Sequence, residues 1–152
     1  MHTFHPGEIY IMIGKTISHY KILSKLGEGW MGVMYKAEDT KLDHLVDLKF
    51  LPPHVRADEE EKQRFIHEAK ASAALQHNNI CNIYEIDETD DGQTFIVMAC
   101  YRGETLEDKI KRGPLRLDVA IDTAIQIAEG LKEAQSYMLG EVAEVEIDVI
   151  VA

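Results

Sequence analysis

Residues 27–32 read "GEGWMG": Gly27, Glu28, Gly29, Trp30, Met31 and Gly32. Three glycines at G-x-G-x-x-G spacing let a backbone turn sharply and approach a bound phosphate, and the same spacing also suits a plain flexible turn. The flanks decide between these readings. Upstream, residues 20–26 ("YKILSKL") alternate apolar and polar, and Gly27 is expected to interrupt them. Downstream, residues 33–39 ("VMYKAED") and 45–51 ("LVDLKFL") are also strand-like, with a polar "TKLDH" between them. The order is strand, glycine turn, strand, loop, strand. A dinucleotide-binding loop would instead open a helix, with a ribose-binding acid about 20 residues on at the end of a second strand. Asp47 has that spacing but lies inside a strand, so this reading fails on context.

Further along, "LPPH" (51–54) ends the third strand, because proline cannot donate to a ladder. Residues 58–75 predict a helix with acidic first turns, where carboxylates oppose the positive end of the helix dipole. Phe65, Ala69, Ser72 and Ala73 form its small-to-apolar face. "NIYEID" and "TFIVMAC" are two more strands, and Asp91-Gly92 between them is a hairpin signal. Residues 103–113 and 117–135 predict two helices parted by Gly113-Pro114. The second carries apolar spacing at Val119/Ala120, Thr123/Ala124, Ile127 and Leu131. Five strands with one inserted helix, followed by helices, define an α+β fold.

Composition narrows the function. The chain has 152 residues, 45% of them hydrophobic and 28% charged, enough to bury a core. A net charge of −11 argues against nucleic acid as a partner, since phosphate backbones recruit Lys and Arg. No apolar run approaches the roughly 20 residues that cross a membrane. The first residues lack the layout of a secretory signal, and Cys81 and Cys100 lack C-x-x-C spacing, so a reduced, cytoplasmic setting is expected. The seven histidines show no H-x-x-x-H pair, and a metal site is not expected.

An ATP-binding hairpin makes further demands: a lysine on the next-but-one strand, a glutamate on the following helix, then an apolar strand leading into a hinge. Lys49 in "VDLK", Glu68 in "RFIHEAK" and "FIVMACYRG" meet all three in order. With "YKAEDTKL", "FIHEAKASAAL", "NICNIYEI" and "GETL", residues 13–134 resemble the N-terminal half of bacterial, eukaryotic-like (Hanks-type) Ser/Thr protein kinases. The resemblance implies a kinase N-lobe with a five-stranded antiparallel sheet and one inserted helix over 13–101, and the start of a C-lobe over 102–136. An N-terminal extension (1–12) and a divergent tail (137–152) flank them.

The resemblance also implies that Leu26, Gly27, Glu28, Gly29, Trp30, Met31, Gly32, Val33 and Met34 close over ATP. The glycines would meet the phosphates as bare backbone, and Leu26 and Met34 would pack on the adenine. Lys49 would grip the α and β phosphates and pair with Glu68. Met98 would be the gatekeeper, and the backbone of Ala99 to Tyr101 would bond the adenine edge. Mg²⁺ would enter only with the ATP.

Two departures temper this. The 152 residues hold neither the H-R-D-x-x-x-x-N nor the D-F-G segment that phosphoryl transfer uses in this family. The sequence therefore reads as a truncated kinase domain with phosphotransfer weak or absent. Non-catalytic alternatives are an interaction module that pairs with a protein partner or itself through residues 141–152, and a nonfunctional gene fragment. The second departure is Asp47, where the family has a small apolar residue against the adenine. A carboxylate there is expected to weaken nucleotide binding by about 1–3 kcal/mol.

Overall fold

A computed structural model describes residues 12–29, 32–137 and 150–151. The chain forms two compact units, one of Met1–Arg64 with Tyr84–Cys100 and one of Phe65–Ile83 with Tyr101–Ala152. Residues 1–11 of the expected N-terminal extension, the loop-tip residues Trp30 and Met31, and residues 138–149 and 152 of the tail lie outside the described residues.

The first unit is built on a sheet with strand order β1-β2-β3-β4-β6-β5 among the described residues. Its strands are β1 (Thr16–Ile17), β2 (Tyr20–Gly29), β3 (Gly32–Asp39), β4 (His44–Phe50), β5 (Ile83–Glu88) and β6 (Thr94–Ala99). Successive pairs from β1 to β4, and β4 with β6, run antiparallel. The five expected strands are all present, and the two-residue β1 is added to them. The turn between β5 and β6 forms as the Asp91-Gly92 pair predicts, with Gly92 at φ 81° and its N–H donating to the Thr89 carbonyl at 2.8 Å.

Strand alternation sends Tyr20, Ile22, Tyr35, Ala37, Val46, Leu48, Phe50, Phe95 and Val97 into one core. Phe50 stacks on Phe95 at 5.2 Å, and Tyr35 and Tyr20 meet these rings edge-on. Each such side chain, fully buried, contributes roughly 1.5–3 kcal/mol of transfer free energy. β4 is central and is buried on both faces from Val46 through Phe50. Its two charged residues, Asp47 and Lys49, therefore sit where packing alone would place apolar side chains.

β2 departs from the expectation in an informative way. Gly27 does not interrupt it; the strand runs on to Gly29. Register shifts between Ile22 and Ser24, and between Lys25 and Gly27, leave Leu23 and Leu26 without cross-strand partners. Such bulges bend a strand and increase its twist.

After β4, α1 (Pro53–Ala57) begins immediately past Pro52, and α2 (Glu59–Ala73) follows. Asp58 starts α2 by accepting from the N–H groups of Glu60 and Glu61 at 2.9 and 3.2 Å. Three glutamates fill its first turn.

In the second unit, β7 (Glu104–Thr105) leads into α3 (Leu106–Lys111), capped by Thr105, whose hydroxyl accepts from the Asp108 N–H at 3.1 Å. The 21-residue α4 (Leu117–Tyr137) buries Thr123, Gly130 and Ala134. Gly130 is there because a Cβ would come within 2.9 Å of the Asn79 carbonyl oxygen. Asn79 also donates from its side chain to Gln126 of α4 at 3.2 Å. Ala124 and Leu131, expected on the apolar face, are exposed, because the contact line follows the small residues that allow close approach. From the tail, β8 (Ile150–Val151) pairs antiparallel with β7.

Candidate functional site

The glycine hairpin is the end of the β2–β3 ladder, with Gly29 directly opposite Gly32. Its three glycines serve two different needs. Around Gly27 and Gly29, a Cβ would meet nothing within 4 Å, so the missing side chains leave open space beside the backbone. Gly32 is required by the fold itself: its φ is 112°, and a Cβ would lie 2.0 Å from the Phe50 carbonyl oxygen. Only a residue without a side chain allows the β3 backbone that close to the end of β4. Glu28, exposed, receives an ion pair from Lys25 three residues earlier. Leu26 is 50% exposed at its bulge, while Val33 and Met34 are half-buried.

Register carries the hairpin into the rest of the site. Gly27 pairs with Met34, Met34 with Lys49, and Lys49 with Ile96. One row over, Lys36 pairs with Asp47, and Asp47 with Met98. Since Tyr35, Leu48 and Val97 of the row between them point into the aromatic core, these flanking rows point to the opposite face. Met34, Lys49, Asp47 and Met98 thus share one face, as the sequence spacing of 47 and 49 predicts. Ala99 pairs with Val46 and lies on the core side. Glu68, half-buried on α2, and Tyr101, 44% exposed, belong to the second unit.

Lys49 is 6% exposed and Asp47 7%, so this face carries two charges well removed from water. Asp47 Oδ1 is buried with no hydrogen-bond partner among the described residues. Burial pushes the Asp47 pKa up, against the opposing pull of the Cys100 thiol and the Lys36 ammonium. Cys100 responds in kind: burial first, then the neighbouring carboxyl of Asp47, pushes its thiol up. Cys100 is accordingly held as a thiol that donates to Asp47. Lys36 and Cys100 were not legible as site residues, because nothing short of the sheet register brings residues 36, 47 and 100 together. Chemically, the face offers a buried ammonium below an open glycine backbone, which suits a polyanion, and an acceptor oxygen a short way along the sheet. Among the described residues, no group of three His, Cys, Asp or Glu is placed to hold a metal ion.

An antiparallel sheet whose glycine hairpin lies in register with a buried strand lysine is the arrangement found at the start of protein kinase domains. The chain belongs to the protein kinase family: the protein kinase domain model matches residues 20–137. It is 39% identical over 123 residues to a probable serine/threonine-protein kinase of Clostridium perfringens, covering 80% of this chain and 18% of that one. Over 131 residues it is 39% identical to the serine/threonine-protein kinase PrkC of Bacillus subtilis, covering 85% of this chain and 20% of the relative. Among solved structures, the M. tuberculosis PknI kinase domain superposes with a TM-score of 0.72 at 27% identity, over 82% of this chain and 51% of that one. The chain therefore spans about a fifth of the length of those two relatives and about half of that kinase domain. The α+β fold is that of a kinase N-lobe with its sheet and inserted helix, followed by further helices. Among the described residues, no helix is long and apolar enough to cross a membrane.

Proposed function

We propose that these 152 residues are the nucleotide-binding part of a Ser/Thr protein kinase domain, binding ATP weakly and transferring no phosphate by themselves. The observation that carries this reading is the placement of Lys49. It is buried on the face opposite the aromatic core, in register with Met34 of the hairpin, beside Gly27 and Gly29 whose side-chain space is empty. Phosphates of ATP lie along that open backbone and against the ammonium, with Mg²⁺ arriving on the nucleotide. Leu26 and Met34 cover the adenine and the backbone from Ala99 onward meets its edge; the parts taken by Glu68 and Tyr101 rest on family resemblance.

Binding is weak because Asp47 puts a negative charge two residues from Lys49, on the same face, where it opposes a polyphosphate. Phosphotransfer is absent because no residue of the 152 stands in an H-R-D or D-F-G segment, so this stretch supplies neither the proton acceptor nor the metal-binding carboxylate. A reducing, cytoplasmic setting completes the reading, in keeping with Cys81 and Cys100, which form no disulfide.

The test is a titration of the purified chain with ATP and Mg²⁺, followed by thermal unfolding, beside Lys49→Ala. The expected outcome is saturable stabilisation in the parent chain and an affinity about tenfold or more lower in the variant, the loss of a charge-assisted contact to phosphate. A folded parent chain whose melting ignores ATP would overturn the binding half. Transfer of labelled γ-phosphate to itself or to casein would overturn the inactive half.

A further inference from the structure

We propose that the outward face of α4 is a docking surface for a helix of a protein partner, one that carries Lys or Arg beside its own apolar stripe. The surface belongs to the second unit, whereas Lys49 belongs to the first, and the inference does not depend on the nucleotide-binding reading above.

A surface helix of a domain needs one apolar stripe, the one that it buries. α4 carries two. Its buried line is Thr123, Gly130 and Ala134, with Gly130 against the Asn79 carbonyl. At about 100° per residue, Leu117, Ile121, Ala124, Ile125, Ala128 and Leu131 form a second line on the side away from it. All six are exposed, Leu117 by 76% and Ile121 by 52%. The line extends over about 21 Å of helix at 1.5 Å per residue. Within it, Ile121, Ala124, Ile125 and Ala128 stand at i, i+3, i+4 and i+7. Those are the corners of the hole that receives one side chain of a facing helix, and the two alanines keep it open. A contiguous exposed stripe of this kind, with the helix backbone already paired internally, suits a helix and offers nothing to an added strand.

The border of the stripe assigns the charge of the partner. Asp118, Asp122, Glu129 and Glu133 succeed one another along one side of it, all exposed. Lys132 is the one cation within α4. Just before the helix, Arg116 reaches Asp118 at 2.7 Å, and Asp122 accepts from the Gln126 amide at 2.7 Å. The other border, at Ala120 and Ile127, is half-buried and uncharged. A second copy of α4 fits this pattern poorly. Laid antiparallel about a twofold axis, it sets acidic border against acidic border; laid parallel, it sets acids against Ala120 and Ile127. Neither arrangement supplies a cation. An anionic lipid surface is repelled by the same acidic row. A helix with Lys or Arg beside its apolar residues supplies both the knobs and the opposite charge, and the chain's net charge of −11 favours its approach.

The probe is a synthetic amphipathic helical peptide of about 18 residues, long enough to cover the stripe, with Leu on one face and Lys beside it. A control peptide keeps every Leu and carries Glu in place of Lys. Fluorescence anisotropy measures both against three forms: the parent chain, Ile121→Ser with Ile125→Ser, and Asp122→Lys with Glu129→Lys. All four positions are exposed, and thermal unfolding confirms that each form is folded. The expected result is saturable binding of the Lys peptide to the parent chain, about tenfold or more tighter than the Glu peptide. The serine variant loses about tenfold in affinity, and the lysine variant turns the preference toward the Glu peptide. Equal affinity for the two peptides, or no binding to the folded parent chain, overturns the inference. A parent-chain dimer in sedimentation that the serine variant lacks also overturns it and makes a second copy the occupant. Binding to phosphatidylserine vesicles that the serine variant lacks overturns it in favour of a lipid surface.

Discussion

Asp39 ends β3 at the turn into β4, and Asp47 lies in the middle of β4; they are 4% and 7% exposed, and the fold treats them in opposite ways. Asp39 Oδ1 accepts from the Lys41 and Leu42 N–H groups at 2.8 and 3.1 Å, and its Oδ2 lies 3.7 Å from Nε2 of both His19 and His44. Burial alone would raise its pKa, but those two backbone donors, helped by the histidines, outweigh it and hold the carboxyl below its ordinary range. Asp47 has one bare oxygen, and burial wins over the Cys100 thiol and Lys36. The first carboxylate is satisfied by its own turn, two and three residues on, and serves the structure. The second is satisfied by nothing the sheet offers to Oδ1, and it lies on the same face as Lys49. A buried carboxyl left short of donors in an otherwise well-packed strand costs stability where Asp39 adds to it.

Three measurements would break or sharpen that contrast. The largest effect is expected for Asp39→Ala, which leaves two turn N–H groups without their acceptor and costs about 2–3 kcal/mol of stability in denaturant unfolding. A cost near zero would mean that water serves those groups as well as the carboxylate does. A smaller effect of opposite sign is expected for Asp47→Ala, a gain of about 1 kcal/mol as the unsatisfied oxygen is removed, partly offset by lost packing. A loss comparable to that of Asp39→Ala would show that Asp47 is structural after all.

The smallest effect is the pH dependence that separates the two. In the native state Asp39 holds its proton less tightly than in the unfolded chain. Its stabilisation is present above the ordinary Asp value of about 3.9 and is lost as pH falls through the lowered native value. Native Asp47 holds its proton more tightly than the unfolded chain does, so its penalty is full at neutral pH and lifts as pH falls through the raised native value. The stability gap between the parent chain and Asp47→Ala should therefore close on acidification from about pH 7 toward about pH 4. A gap that stays constant over that range would remove the distinction between the two aspartates.

Much of this was legible along the chain because the signals are local. Alternation placed five strands, "DG" placed a hairpin, acidic first turns placed α2, and the 47/49 spacing put both charges on one face. Three kinds of feature were not legible. Strands of two residues, such as β1 and β7, are too short to show a period. The bulges at Leu23 and Leu26 belong to the pairing of β2 with β3, and β2 alone does not announce them. The buried line of α4 follows Gly130 and Ala134, whose small size matters only because the Asn79 backbone comes close.

By itself the sequence determined the strand and helix order, the glycine hairpin, the lysine that follows it, and the absence of the H-R-D and D-F-G segments from these 152 residues. Periodicity, turn chemistry and motif spacing are properties of neighbours along the chain, and they survive without a fold. Only the tertiary structure decided which glycine is needed for packing and which two leave space, and which residues surround Asp47. It also decided that, among the described residues, Oδ1 of Asp47 has no hydrogen-bond partner while Oδ1 of Asp39 accepts from two backbone N–H groups. Those outcomes depend on cross-strand register and on burial, which join Gly32 to Phe50 and Lys36 to Asp47 to Cys100, and no local rule in the sequence encodes which distant groups a strand will meet.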